Sequence, residues 1–173
     1  WQSVTGSKDS LAEAFATTAA REALEETGID AAAPGCVLRD WGLDASALAG
    51  TAEKLAVNSR WEYDQLPYWG GEVDCCINAF TLANGTWLGA DVSGLVEWFP
   101  EHQLPDGGWN CEWVDGSTRS SFHSTLNSLK GLLYYEIATG DRALRAARLA
   151  AQEYLLQRRL LYRLATGEVV GSW

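Results

Sequence analysis

Three of the four cysteines and both histidines fall between Gly70 and Leu126. All of them except His102 sit in short blocks: Asp74-Cys75-Cys76, Trp109-Asn110-Cys111-Glu112 and Ser121-Phe122-His123. Each block sets a metal-capable side chain beside glycines or aromatics. Far upstream, Glu22, Glu25 and Glu26 stand at i, i+3 and i+4, so a helix puts them on one face. Three carboxylates on one turn repel each other unless the face is solvated or a divalent cation neutralises them. Carboxylate oxygens are the hard ligands that magnesium takes. Arg21 can pair with Glu25, and Glu13 reaches the group only from the helix entry. The ordinary readings stand beside these. Cys76 and Cys111 suit small buried positions, His123 suits a hydrogen-bonded helix start, and the acidic turn suits a solvated face.

Positioning these residues takes helices. Ser10 and Glu13 match a capping box, and a helix is expected from there to about Thr27, stopped by Gly28. Its apolar stripe is Leu11, Phe15, Ala19, Ala23 and Leu24. Residues 31–35 form the expected seam. Beyond it, helices are expected over 47–57 and 73–82, and from an Asp91 cap to Phe99 or Gln103. Asp74 and Cys76, at i and i+2, converge only at a helix start, which the second of these helices provides. Ser120 or Ser121 caps a long helix whose expected core stripe is Phe122, Leu126, Leu129, Leu133 and Ile137. Gly140 ends it. Asp141 caps the next, with Leu144, Ala147 or Arg148, Ala151 and Leu155 inward. Between 58 and 71 lies an aromatic loop in which Trp61, Tyr68 and Trp69 offer an apolar face.

Composition sets the limits. The chain has 173 residues, 47% of them apolar, and a net charge of −10. Such a surface disfavours nucleic acid, and an anionic ligand would need a cation or a local basic pocket. No apolar run reaches the ~20 residues of a membrane span, and no signal peptide is visible. Adjacent cysteines make a poor disulfide framework, which points to a reducing, cytoplasmic setting. Methionine is absent, so a fragment or a chimera is expected.

Two resemblances follow from particular residues. Glu13, Arg21-Glu22, Glu25-Glu26, Gly28 and Ile29 fit a Nudix box in register, with Ser7 where the motif has its first glycine. With residues 1–7, the segment is similar to the dihydroneopterin triphosphate pyrophosphatase branch. That resemblance implies magnesium held by Glu22, Glu25 and Glu26 with help from Glu13. It further implies catalysis by Glu22 oriented by Arg21, and hydrolysis of a nucleotide-like substrate. The second resemblance spans residues 37–173. Trp98-Phe99, Gln103 and Gly107-Gly108-Trp109 resemble the Q-W motif of squalene and oxidosqualene cyclases, in which glutamine caps helix ends and tryptophan stacks on it. The segments 71–78, 106–112, 119–125, 132–136 and 153–160 resemble prenyltransferase/squalene-oxidase repeat proteins of the α/α-toroid class.

Protein prenyltransferases bind zinc with an Asp-x-Cys pair and a later histidine. The resemblance therefore implies a zinc set of Asp74, Cys76 and His123, to which Cys111 adds a fourth candidate. Cys75 and His102 are read as structural. The acidic D-x-D-D motif of squalene-hopene-type cyclases is absent, so protonation-initiated cyclisation has no visible acid.

The expectation is thus a mainly α chain: a strand–loop–helix Nudix-box fragment over 1–35 and a partial α/α-toroid of stacked helical hairpins over 36–173. Its function is expected to be that of a terpenoid cyclase- or prenyltransferase-like fragment that binds zinc, with an isoprenoid as the implied small-molecule substrate. The alternatives are a magnesium-dependent pyrophosphohydrolase and a non-enzymatic helical interaction module. An incomplete ring leaves apolar edges wet, which predicts oligomerisation or marginal stability.

Overall fold

Most of the principal helices begin or end where the sequence supplies a local device. A computed structural model of the chain describes Leu38, Arg39 and residues 41–170. The Nudix-box residues Glu13, Arg21, Glu22, Glu25 and Glu26, with their magnesium reading, and Cys36 lie outside the described residues. The helices are α1 (Thr51–Asn58), α2 (Cys75–Leu88), α3 (Ser93–Glu101), α4 (Phe122–Thr139) and α5 (Arg145–Gln157). Short 3-10 turns at Ala45–Leu48, Tyr68–Gly70 and Cys111–Asp115 connect them. Among the described residues the only β pairing is two isolated antiparallel bridges, Arg60 with Pro67 and Tyr162 with Val169. The described chain is mainly α.

Ser121 caps α4 as expected, whereas Asp91 and Asp141 bond in the turns that precede Val92 and Leu144, the residues from which α3 and α5 start. Ser121 Oγ accepts the Ser124 N–H at 3.0 Å, satisfying a free donor at the start of α4. Asp91 Oδ1 accepts from Ser93 N at 3.0 Å and Asp141 Oδ1 from Ala143 N at 2.9 Å. Gly89 and Gly140 close α2 and α4 with φ of 74° at both, a left-handed conformation that a side chain would oppose. Helix α2 runs six residues beyond the expected Leu82 because Ala83, Gly85 and the Leu82 side chain are buried against neighbours rather than released to a turn. Pro100 lies in the last turn of α3, near Glu101 where the helix ends.

The contacts give the helix directions. Cys76 of α2 meets Asn127 of α4, and Ala79 faces Gly131, so positions ascend together and the two helices run parallel. In contrast, Gly85 faces Val92, while Gly71 brings Asn78 beside Leu95, so α2 and α3 form an antiparallel hairpin. Glu136 meets Arg148 and Phe122 meets Tyr154, so α4 and α5 form another. Two antiparallel hairpins thus lie side by side with their first helices parallel. Leu82, Leu95, Phe99, Trp109, Leu132 and Leu144 are fully enclosed between them. Each such side chain contributes about 1.5–3 kcal/mol of apolar burial.

One sequence expectation is corrected here. The stripe Leu126, Leu133 and Ile137 does not enter the core: these side chains are 48%, 41% and 73% exposed. The buried face of α4 is Ser124, Thr125, Ser128, Gly131, Leu132 and Tyr135. Small residues win that face because α2 approaches so closely. A Cβ on Gly131 would lie 2.8 Å from the Ala79 Cα and carbonyl carbon. The expected inward residues of α5, Leu144, Ala147, Arg148, Ala151 and Leu155, are all buried. Arg148 is neutralised there by Glu136 Oε2 at 2.8 Å.

The loop between the hairpins is stapled from both sides. Gln103 Nε2 donates to Gly107 O at 2.7 Å and to Ala147 O at 2.8 Å, joining the loop to α5. Trp109 packs edge-on against Phe99 and donates its indole N–H to Phe99 O at 3.0 Å. Its backbone N–H reaches Thr125 Oγ1 at 3.1 Å. Glutamine and tryptophan therefore secure the same loop through different helices.

Candidate metal centre

Helix α2 starts at a clamped entry. Asn78, fully buried, accepts the Glu72 N–H and donates to the Glu72 carbonyl, each at 2.6 Å. Glu72 Oε2 accepts from Asp74 N at 2.6 Å. The extended backbone of Asp74 then turns into the helix, leaving its carboxylate free of a capping bond. Cys75 and Cys76 occupy the first turn, where the helix dipole favours anions.

Cys111 opens the 3-10 turn after Asn110, whose side-chain oxygen accepts from Glu112 N at 3.1 Å. Trp113 Nε1 donates to Val73 O at 2.8 Å, holding that turn against the α2 entry. Ser124 Oγ accepts the Cys111 N–H at 3.3 Å from the start of α4. Two chain segments thereby deliver three sulfurs to one point, and the start of α4 braces the second of them. Cys111 Sγ lies 3.3 Å from Cys76 Sγ and 3.5 Å from Cys75 Sγ. All three sulfurs lie within 4.8 Å of one another, and all are free thiols.

A cleft of about 340 Å³ opens onto this cluster, and Asp74, Cys76, Cys111 and His123 all line it. The four residues singled out in the sequence therefore share one cavity wall. They are not equally close: the tight cluster consists of the three thiols, with Asp74 and His123 on the rim. Asn127 links rim to centre. Its amide nitrogen is 3.2 Å from His123 Nε2 and 3.7 Å from Cys76 Sγ. Cys75, read from sequence as structural, is wholly buried and also belongs to the sulfur cluster. Its adjacency to Cys76 was the available signal. Asn127, one helical turn after His123, carried none.

The electrostatics divide the thiols. Hydrogen bonds from Cys111 and then Cys75 hold Cys76 well below an ordinary thiol. Hydrogen bonding to Cys111 and Cys76, with burial behind it, pushes Cys75 up and keeps its proton in place. Burial, followed by its interaction with the neighbouring Cys111, raises the Asp74 carboxyl. Negative groups are thus crowded in a half-buried space, the condition a bound cation relieves. The donor chemistry of thiolate, imidazole and carboxylate is what zinc takes at four-coordinate sites.

The remaining aromatic candidates lie elsewhere. Tyr68 and Trp69 line a separate cleft of about 470 Å³, and Trp61 stacks on Tyr68 at 4.9 Å. Trp69 is anchored by an indole N–H bond to Ala52 O at 2.9 Å. His102 stacks on Trp98 at 4.2 Å and packs edge-on to Trp113, a packing role. No described helix is long and apolar enough to cross a membrane. Compared with known proteins, the chain matches no family model, no curated protein and no solved structure.

Proposed function

We propose that the chain is a zinc-binding α/α-hairpin protein of the prenyltransferase and terpenoid-cyclase kind, with its metal centre open to a cleft. The observation that carries this reading is the shared cleft: Asp74, Cys76, Cys111 and His123 come from three separated segments and line one wall. The paired hairpins with parallel first helices support the toroid-like part of the reading. The spacing of Asp74 and Cys76 at a helix start, with His123 at the start of the parallel helix, supports the site.

Zinc held by such a set supplies Lewis acidity and can bind a water or a substrate sulfur as its anion. The chain's own groups do the rest. Cys76 and Cys111 provide the soft donors, and Asp74 adds charge at the rim. Asn127 orients the His123 ring, and the ring's tautomer decides which nitrogen remains for the metal. Cys75, enclosed behind the cluster, keeps its proton and donates to its neighbours. No cyclase acid motif is present in the sequence, so the chemistry proposed is metal-assisted and not proton-initiated.

Metal analysis of the purified protein tests this. Stoichiometric zinc is expected, falling sharply in Cys76→Ser and His123→Ala. At a zinc concentration one hundred times the dissociation constant, the folded state gains about 2.7 kcal/mol. Zinc at background level, or content indifferent to Cys76→Ser, removes the proposal. The pyrophosphohydrolase alternative rests on its sequence motif. It predicts magnesium-dependent pyrophosphate release that is lost in Glu22→Gln.

A further inference from the structure

The sulfur cluster has a second chemistry open to it. Cys76 and Cys111 both face the cleft, whereas Cys75 is wholly buried and does not line it. The Cys76 and Cys111 sulfurs are 3.3 Å apart, and closing to the ~2.05 Å of a disulfide requires only a small approach. Cys111 is half-buried on a short 3-10 turn, so the movement falls on a loop and not on a packed helix. Cys75 and Cys76 are consecutive in α2, where neighbouring side chains diverge, so they are a poor pair. Polar donors already face the reacting sulfurs: Ser124 Oγ is 3.5 Å from Cys111 Sγ, and the Asn127 amide is 3.7 Å from Cys76 Sγ.

We propose that Cys76 and Cys111 form a peroxide-sensitive dithiol whose oxidation closes the metal centre. The Cys76 sulfur attacks one oxygen of a hydroperoxide. The S–O bond forms, the O–O bond breaks, and the leaving oxygen takes up a proton as water (from hydrogen peroxide). Cys76 is then a sulfenic acid, with its oxygen beside the Asn127 amide. Cys111 sulfur attacks Cys76 sulfur, the S–S bond forms and the S–O bond breaks. The departing hydroxide takes the Cys111 proton and leaves as a second water. In total two thiols are oxidised by two electrons and one peroxide is reduced. The disulfide removes two of the donors assigned to zinc. This control of the site rests on the zinc reading, whereas the dithiol itself does not.

The test uses the full chain in a Cys36→Ser background, reduced and stripped of metal, with hydrogen peroxide added at one equivalent. Differential alkylation and peptide mass spectrometry then map the thiols. The expected product is a Cys76–Cys111 disulfide with Cys75 still reduced. In Cys111→Ser, a sulfenic-acid trap such as dimedone should label Cys76, and no intramolecular disulfide should form. Zinc loaded beforehand should slow disulfide formation at least tenfold. Oxidation of Cys111 alone to higher acids, or a Cys75–Cys111 bridge as the main product, overturns the assigned pair. A Cys76–Cys111 bridge formed equally fast with and without zinc supports the dithiol and overturns the zinc reading.

Discussion

Replacing Gly131 by alanine should destabilise the protein, although the same change in an isolated helix is stabilising. Alanine in a helix interior is better than glycine by roughly 0.5–1 kcal/mol. At position 131, however, the added Cβ would lie 2.8 Å from the Cα and carbonyl carbon of Ala79. Optimal carbon–carbon separation is about 3.5–4.0 Å. The opposing atoms are backbone, so no rotamer change relieves the overlap and α2 must move away from α4. Overpacking of this kind costs about 1–3 kcal/mol, which exceeds the propensity gain over most of its range. The separation also draws Asn127 away from Cys76, now 3.7 Å apart, so zinc affinity should fall with stability. Gly94 provides the control. It lies in the first turn of α3, where an added Cβ meets nothing nearer than the Gly70 Cα at 4.0 Å. Urea denaturation of both variants reads the two signs: Gly131→Ala down, Gly94→Ala unchanged or up. A Gly131→Ala protein as stable as the parent would refute the close approach of α2 and α4.

Gln103→Ala should lower stability by about 1–3 kcal/mol, because two hydrogen bonds that tie the loop to α5 are lost at once, and thermal melting will report it. Tyr135→Phe should flatten the pH dependence of stability at both extremes. Tyr135 donates to Asp141 Oδ2 at 2.7 Å, and that bond holds Asp141 below its usual 3.8. A lowered folded pKa contributes stability above 3.8 that is lost as pH falls through the folded value. Burial, then Asp141, pushes Tyr135 from 10.0 up to about 12, so the unfolded tyrosine ionises first and stability is lost as pH rises through that window. Urea midpoints measured across pH should show both losses in the parent; in the variant the alkaline loss should be absent and the acid loss smaller, because the backbone bonds from Ala143 and Arg142 to Asp141 remain. Equal pH profiles would remove the Tyr135–Asp141 pair from the account.

Local devices were legible in the sequence because they act over a few residues. Ser121, Asp91 and Gly140 mark helix ends through bonds or dihedral preferences that need no distant partner, whereas α5 starts four residues past Asp141. The facing of α4 was not legible. Leu126, Leu133 and Ile137 have helical spacing and apolar character, yet the face that packs is decided by how near α2 comes. Nearness is set by Gly131 meeting Ala79, a fact of two helices and not of one. The inward face of α5 was legible from the helical spacing of Leu144, Ala147, Ala151 and Leu155, although Leu149 and Leu156 on the other side are exposed.

The candidate centre divides in the same way. The sequence alone determined that Asp74, Cys76, Cys111 and His123 are chemically able ligands, and that a helix start would serve Asp74 and Cys76. Side-chain chemistry and short-range geometry suffice for that. Only the tertiary structure decided that these residues share one cleft, that Cys75 joins the sulfurs, and that Asn127 bridges His123 to Cys76. Those placements depend on the parallel course of α2 and α4 and on the Trp113–Val73 bond across the intervening loop. Contacts between segments so far apart in the chain leave no periodicity to read, because the packing of the hairpins and not the local sequence brings them together.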